Sequence, residues 1–288
     1  MNQLDIEPLH DDFGARVNGI AISGDLSDRD VTLIQDAIDT YSFLCFPGQD
    51  MTDEKQLAFT RLLGEAEAEH VTFGSTGKVT YFGTVGNVQD DGSKRDNSHA
   101  VTRHQTGNQL WHSDSSFREV PSFVSILHAY EVPGEGGATE FASTRAGYAR
   151  LAGDLSETIE PLHVIHDYVF SRSQVAPVNP NHAASLPPVM HRLVRGNPAN
   201  GLKNFYIGSH ARSIPGWSGI DSRHLLDDLL QRATRPRDIY AHRWRAGDTV
   251  IWDNRCMLHR GAGYDAGRWR RRMRQTRVVG REKGVIPG

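Results

Sequence analysis

The chain has 288 residues, of which 38% are hydrophobic and 23% are charged, so it is long enough to bury a large core. A formal net charge of −3 gives no electrostatic support for binding nucleic acid or an anionic membrane surface. Two cysteines are too few for a disulfide framework, and no apolar run reaches the ~20 residues needed to cross a bilayer. We therefore expect a cytoplasmic protein without a nucleic-acid or membrane partner.

The first 64 residues show two helix patterns on either side of a buried strand. Ser27 and Asp30 form a capping box, which predicts the start of a helix. The apolar run at residues 43–46 is followed by a Pro-Gly pair and predicts a strand. A second helix is predicted to begin at Thr52 and to end at Gly64. Local signals therefore predict an ordered N-terminal part.

The rest of the chain alternates predicted strands with polar connections. Residues 77–105 are polar and predict a long loop, and residues 171–190, rich in Pro, Asn and Ser, predict a second, mobile connection. Strands are predicted at residues 123–130, 138–141 and 248–253, and helices at 144–152, 154–160 and 221–233. This order favours a jelly-roll type β-sandwich with helices at its margins over a parallel α/β sheet.

The sequence His112-Ser113-Asp114 carries the first chemical signal. On an extended strand, residues two apart leave the same face, so both side chains can converge on one metal ion. His259, far along the chain, would supply the third ligand. Two imidazoles and a carboxylate on one side of a metal are the facial triad of non-haem Fe(II) oxygenases. A zinc hydrolase can use the same ligand types, and a non-catalytic jelly-roll protein that binds a ligand is the third alternative.

Three sequence blocks, in order along the chain, are more specific than a single His-x-Asp motif. They are Gln109–Phe117, Pro133–Phe141 and Trp252–Gly261, and shorter matches lie at Phe46–Gln49 and Tyr206–Ala211. Together they resemble the signature blocks of the taurine dioxygenase and 2,4-dichlorophenoxyacetate dioxygenase family. The resemblance spans nearly the whole chain and is closest to the aryloxyalkanoate-degrading branch.

The resemblance implies a fold, a metal and an oxidant. The fold would be mainly β with flanking helices, a double-stranded β-helix of the jelly-roll, cupin-like type. It would form a single domain over residues 1–288, with long active-site loops near 70–105 and 168–190. Fe(II) would be held by the catalytic residues His112, Asp114 and His259, and the enzyme would use 2-oxoglutarate as cosubstrate and O2 as oxidant.

The resemblance also implies where the cosubstrate binds. In the family, the carboxylate of 2-oxoglutarate that lies away from the metal meets a threonine and an arginine. Thr139 falls at the matching threonine, and alignment of the closing strand favours Arg271, with Arg270 as the alternative. An arginine suits this position because its guanidinium offers two parallel donors to a carboxylate.

The implied reaction is hydroxylation of a small carboxylate substrate, with release of succinate and CO2. For an aryloxyalkanoate, hydroxylation of the carbon beside the ether oxygen gives a hemiacetal, which collapses to a phenol and glyoxylate or pyruvate. The alternative is the same chemistry on another small anion, such as an N-acyl amino acid, a sulfonate or a natural-product carboxylate. The chain could act as a monomer or as a homo-oligomer.

An anionic substrate requires a cationic or hydrogen-bonding group beside apolar walls. The candidates are His70, His210, Arg212 and Arg277. The chain departs from the herbicide-cleaving members at two places. Residues 69–73 lack the lysine expected there, and Gln275 stands where an arginine is common. These departures leave the predicted iron ligands intact and concern the substrate.

Overall fold

The computed structural model describes residues 4–69, 80–89, 91–95, 106–175, 178 and 180–287. Strands outnumber helices in these residues. The strands are β1 (Asp5–Pro8), β2 (Ala15–Asn18), β3 (Phe43–Phe46), β4 (Gly83–Gly86), β5 (Ser122–Glu131), β6 (Thr139–Ser143), β7 (His163–His166), β8 (Val189–Arg192), β9 (Val194–Gly196), β10 (Lys203–Phe205), β11 (Ala211–Ser213), β12 (Ile239–His242), β13 (Thr249–Asp253), β14 (Met257–Gly261) and β15 (Arg272–Val279).

The helices are short and lie between the strands in sequence. They are α1 (Asp28–Tyr41), α2 (Asp53–Leu63), α3 (Thr144–Ala149), α4 (Gly153–Ile159), α5 (Tyr168–Ser173), α6 (Pro180–Ala184) and α7 (Gly219–Ala233), with 3-10 helices at Thr106–Gln109 and Pro236–Asp238. Within the described ranges, we find no helix whose length and apolar character would let it cross a membrane.

A seven-stranded mixed sheet is the largest element of the fold. Its strand order is β1-β2-β3-β13-β5-β15-β4, and β2 and β3 are its parallel pair. Two three-stranded sheets have the orders β11-β7-β8 and β12-β6-β14, and β9 pairs with β10. The prediction of a mainly β fold with flanking helices agrees with this arrangement.

The N-terminal helices begin where their caps predict. The Ser27 hydroxyl accepts a hydrogen bond from the main-chain N–H of Asp30, and Thr52 caps α2 in the same way. The inner face of α1 places Ile34 and Ile38 in one core cluster with residues of β3 and β13. Burial of this face explains why the predicted helix and strand occur together, because each covers the apolar side of the other.

Two predicted connections contain regular structure that the sequence pattern did not indicate. The short strand β4 lies within the predicted loop at 77–105, and residues 171–190 include the end of α5, all of α6 and the start of β8. Glycines at both ends of β4 weaken its strand signal, so only its pairing with β15 defines it.

The predicted extended strand at His112–Asp114 is wrong. His112 forms a single bridge to His259, and a turn begins at Asp114 and continues through Ser115, whose φ is +53°. The His112 and Asp114 side chains nevertheless converge, with Asp114 Oδ1 3.7 Å from Nε2 of His112, and the left-handed backbone at Ser115 turns the chain directly after them.

Gly86 ends β4 at a point of close backbone approach. Its φ is +126°, and an added Cβ would lie 2.1 Å from the carbonyl oxygen of Arg271. Asn87, the next residue, accepts a hydrogen bond at its side-chain oxygen from the Arg271 main-chain N–H, at 2.8 Å. The end of β4 therefore fixes the backbone position of Arg271.

We expect Gly86→Ala to lower the free energy of unfolding by about 3 kcal/mol, because backbone atoms cannot move cheaply away from the new methyl group. Gly92→Ala is the matched control: Gly92 also has a positive φ, but an added Cβ there meets nothing within 4 Å. That control should lose about 1 kcal/mol. Equal losses in chemical denaturation of the two variants would contradict the proposed close approach.

Candidate active site

Two histidines that are distant in sequence are joined through their main chains. The N–H of His112 donates to the carbonyl of His259 at 3.0 Å, and the N–H of His259 donates to the carbonyl of His112 at 2.9 Å. Their imidazole ring centroids are 4.1 Å apart. His259 lies in β14, the edge strand of a three-stranded sheet, and the pairing of β14 with β6 fixes the position of His259.

Asp114 completes the group. Its Oδ1 lies 3.7 Å from Nε2 of His112 and 3.7 Å from Nε2 of His259. Its Oδ2 accepts hydrogen bonds from Ser125 Oγ at 2.6 Å and from Gln275 Nε2 at 2.7 Å. One carboxylate oxygen is therefore engaged by the protein, and the other faces the two imidazoles.

The protonation states of the three side chains suit a divalent cation. Burial lowers the pKa of His259 to about 3 and lowers the pKa of His112. The Nδ1 of His112 lies 2.7 Å from the carbonyl of Leu110 and donates to it, which leaves the Nε2 lone pair facing Asp114. Burial alone would raise the pKa of Asp114, but the neighbouring imidazoles and Arg277 bring it below its usual value. Two neutral nitrogens and one carboxylate oxygen result.

A cavity of about 310 Å³ opens beside these three side chains and extends to Arg271. Thr139 lies on its wall, and the Thr139 hydroxyl oxygen accepts a hydrogen bond from Trp244 Nε1 at 2.9 Å. The proton of that hydroxyl can then be donated into the cavity. Further lining residues include Val85, Asn87, Asn108, Leu127, Trp252 and Tyr264.

Arg271 is a buried cation at the cavity wall. Its guanidinium lies over the Tyr264 ring at 5.7 Å, and its Nε has no hydrogen-bond partner within the described residues. Burial lowers the pKa of Arg271 to about 10. Arg270, in contrast, is exposed and pairs with Glu131 at 2.7 Å. The geometry therefore separates the two candidates, since Arg271 lines the cavity and Arg270 is held on the surface.

The four residues predicted to meet the substrate lie in different surroundings. Arg277 is buried and pairs with Glu67 at 3.1 Å and Glu69 at 2.9 Å. Arg212 is half exposed and donates to Asp167. His70 lies outside the described residues.

His210 lies next to the candidate metal ligands. Its ring centroid is 6.4 Å from that of His112 and 4.8 Å from that of Phe117. Its Nδ1 is 3.1 Å from Ser116 Oγ. Among the three candidates that the structure describes, His210 is the one whose ring lies edge-on to the ring of a predicted metal ligand.

Four residues near the site were not singled out for these contacts by the sequence. Ser125 and Gln275 hold Asp114, and Asn254 supports them by accepting from the Asp114 main chain at 3.1 Å and donating to Ser125 Oγ at 2.9 Å. Arg172 donates to Asn108 Oδ1 at 3.2 Å, at the edge of the cavity. Asn254 lies in the Trp252–Gly261 block, but no local motif marks the contacts of these residues, because each contact joins segments that only the tertiary fold brings together.

Comparison with known proteins assigns the chain. The family model named taurine catabolism dioxygenase TauD, TfdA family matches residues 5–277. The chain belongs to this family. The dioxygenase is 38% identical over 276 residues to the alpha-ketoglutarate-dependent 2,4-dichlorophenoxyacetate dioxygenase of Cupriavidus pinatubonensis, covering 93% of this chain and 96% of that protein. It is 35% identical over 289 residues to the (S)-phenoxypropionate/alpha-ketoglutarate-dioxygenase of Sphingobium herbicidovorans, covering 96% and 95%.

A solved structure gives the same assignment. The crystal structure of AAD-2 in complex with Mn(II) and N-oxalylglycine superposes with a TM-score of 0.92 at 34% identity, covering 99% of this chain and 100% of that chain. The likeness is consistent with a cupin-type fold. As a family member, the protein is a non-haem iron dioxygenase that depends on 2-oxoglutarate, the alpha-ketoglutarate of these names, and uses Fe(II) and O2.

The residues of the site fit these groups. Two neutral imidazoles and a carboxylate oxygen suit Fe(II), and their location on one side of the cavity leaves space for further ligands. A buried guanidinium near a threonine hydroxyl suits a carboxylate. The cavity therefore offers a place for a metal at one end and for an anion at the other.

Gln275→Ala tests the support of Asp114. Loss of one donor to Oδ2 frees the carboxylate to rotate, so we expect the affinity for Mn(II) or Fe(II) to fall about 10- to 100-fold. Gln109→Ala is the matched control, because Gln109 lines the same cavity and no hydrogen bond joins it to Asp114 among the described contacts. Isothermal titration of the metal measures both variants. An equal change in the two would contradict the support role of Gln275.

Proposed function

We propose that His112, Asp114 and His259 bind Fe(II) and form the catalytic centre of an aryloxyalkanoate dioxygenase. The observation that carries the proposal is the position of Asp114 Oδ1, which lies 3.7 Å from both imidazole nitrogens at the wall of the cavity. The relatives named for 2,4-dichlorophenoxyacetate and phenoxypropionate support the substrate class. The fold would be a double-stranded β-helix in one domain, with active-site loops near 70–105 and 168–190.

The cosubstrate is proposed to lie between the metal and Arg271. Its outer carboxylate would receive hydrogen bonds from the Arg271 guanidinium and from the Thr139 hydroxyl, whose oxygen already accepts from Trp244. Burial of Arg271 strengthens this ion pair, since little water screens it. The exposed Arg270, bound to Glu131, is the less suitable residue.

The residues of the chain have two tasks in this reaction besides binding the metal and the cosubstrate. When bound, iron supplies the activation of O2 that couples conversion of 2-oxoglutarate to succinate and CO2 with hydroxylation of the substrate. Ser125 and Gln275 hold Asp114 in one orientation, and the apolar wall formed by Leu127 and Trp252 limits access of water. Hydroxylation of an aryloxyalkanoate beside its ether oxygen gives a hemiacetal, and loss of the phenol leaves glyoxylate or pyruvate.

Recognition of the substrate anion is proposed to use a cation near the metal end of the cavity. Arg172 joins His210, Arg212, Arg277 and His70 as a candidate, because it donates to Asn108 at the cavity. The charge of Arg277 is already balanced by two glutamates. The alternative substrates are other small anions, namely N-acyl amino acids, sulfonates and natural-product carboxylates.

A succinate assay tests the proposed reaction. The purified protein with Fe(II), 2-oxoglutarate and O2 should release succinate in step with a phenol when given aryloxyacetates or aryloxypropionates. His112→Ala, Asp114→Ala and His259→Ala should abolish turnover and weaken metal binding while circular dichroism stays unchanged. Succinate release only with sulfonates or N-acyl amino acids would contradict the aryloxyalkanoate assignment. Full activity in any of these variants would contradict the assignment of the metal ligands.

Arg271→Ala should raise the concentration of 2-oxoglutarate needed for half-maximal rate by about 100-fold, because a buried charged hydrogen bond is worth roughly 3 kcal/mol. Arg270→Ala is the matched control at the neighbouring position and should leave that concentration within about twofold, since Arg270 forms an exposed ion pair. Initial rates at varied 2-oxoglutarate measure both. The opposite order would assign the cosubstrate to Arg270.

A further inference from the structure

A second group of potential metal ligands lies away from the proposed iron site and shares no residue with it. Cys45 is in β3, His242 ends β12, and Asp248 immediately precedes β13. The Cys45 sulfur, an imidazole nitrogen of His242 and a carboxylate oxygen of Asp248 all lie within 4.8 Å of one another. Each of the three residues is at most 5% exposed. Three separate elements thus place three different ligand types at one buried point.

The imidazole of His242 is not satisfied by its protein neighbours. Its Nε2 lies 3.2 Å from Asp248 Oδ2, yet this nitrogen has no hydrogen-bond partner within the described residues. The N–H direction is therefore not aligned with the carboxylate. The other ring nitrogen, Nδ1, lies 3.5 Å from the Tyr240 hydroxyl. An unpartnered buried nitrogen beside a carboxylate and a thiol is the arrangement expected where all three face a common ion.

The Asp248 carboxylate also lacks a permanent cation. Its Oδ2 accepts a hydrogen bond from the main-chain N–H of Arg245 at 2.9 Å. In the described part of the chain, His242 is the group that lies within ion-pair distance of it. Since a buried carboxylate without a balancing charge is costly, a bound cation would stabilise this position.

We propose that Cys45, His242 and Asp248 form a second metal site, best matched to Zn²⁺. Sulfur, nitrogen and oxygen ligands together suit this borderline-soft ion, whereas the proposed iron site contains no sulfur. Tetrahedral coordination would draw the three ligand atoms together around the ion, and water would complete the shell. A cation here lies among β3, β12 and β13 and holds them together.

The site is connected to the wall of the cosubstrate cavity. His242 stands opposite Thr139 in the pairing of β12 with β6. Its ring packs edge-on against Trp244, with centroids 4.6 Å apart, and Trp244 donates to the Thr139 hydroxyl oxygen. An ion on His242 fixes the ring that supports Trp244, and through it Thr139. This link to 2-oxoglutarate rests on the proposed function, while metal binding does not.

Titration of the metal-free full-length protein with Co²⁺ tests the site without a measurement of turnover. Cobalt bound to a thiolate gives an intense near-ultraviolet charge-transfer absorption, which the sulfur-free iron site cannot give. We expect the saturated absorption to correspond to one thiolate-bound ion per chain. Elemental analysis should give two bound ions in total, and Zn²⁺ should displace the absorption. One bound ion without the thiolate absorption would overturn the proposal, whether or not the enzyme is active.

Variants assign the signal to its residues. Cys45→Ser and His242→Ala should lose the thiolate absorption and one bound ion. Cys256→Ala is the matched control, because Cys256 is the other buried cysteine and donates to Ser42 instead. It should retain both. Loss of the absorption in Cys256→Ala but not in Cys45→Ser would overturn the assignment of Cys45 as the sulfur ligand. If a variant does not fold, the thiolate absorption of the unmodified protein still shows whether a second metal site exists.

A separate measurement tests the connection between the second metal site and Thr139. If the second ion supports Trp244, Cys45→Ser should raise the 2-oxoglutarate requirement by about tenfold, in the range typical for loss of a metal's supporting contact. Affinity of the iron site for Mn²⁺ should stay the same, since no ligand is shared. An unchanged 2-oxoglutarate requirement in Cys45→Ser would overturn the link to Thr139. If the unmodified protein turned over no substrate, that result would contradict the proposed function and not the second metal site.

Discussion

The reciprocal pair of main-chain hydrogen bonds between His112 and His259 is the constraint on which the site depends. It joins a loop in the middle of the chain to β14 near its end and sets the two imidazoles 4.1 Å apart. Because β14 also pairs with β6, the same small sheet that carries His259 carries Thr139. One ladder therefore fixes the distance between the proposed metal and the threonine on the cavity wall.

The large sheet supplies the opposite side of the site. Ser125 of β5 and Gln275 of β15 hold one oxygen of Asp114, and Arg271 directly precedes β15. The cavity is lined by strand residues from both sheets, such as Leu127 and Thr139, and by residues of connecting segments, such as Asn108 and Tyr264. Side chains on paired strands are well suited to hold a metal ligand and a cosubstrate at a fixed separation.

Local signals in the sequence predict the elements whose cause is local. Ser27 and Thr52 cap their helices as expected, and the apolar run at 43–46 is buried as β3. The convergence of His112 and Asp114 is predicted correctly, although the two residues belong to an isolated bridge and the start of a turn rather than to a regular strand. The strand β4 and the contacts of Gln275 could not be predicted, because pairing with distant strands, and not composition, creates them.

Two buried arginines, Arg277 and Arg271, differ in whether a carboxylate of the protein balances their charge. This difference makes the cavity suitable for an anion. Arg277 has its charge balanced by Glu67 and Glu69, so it contributes to the fold whether or not a ligand is bound. Arg271 has no ion pair within the described residues and contacts the Tyr264 ring instead. Among the described residues no anion balances this desolvated cation, and a bound carboxylate would offset the cost of its burial. By linkage, any anion that binds only the folded protein at Arg271 also stabilises that fold, so the proposed binding of 2-oxoglutarate there would couple cosubstrate affinity to stability.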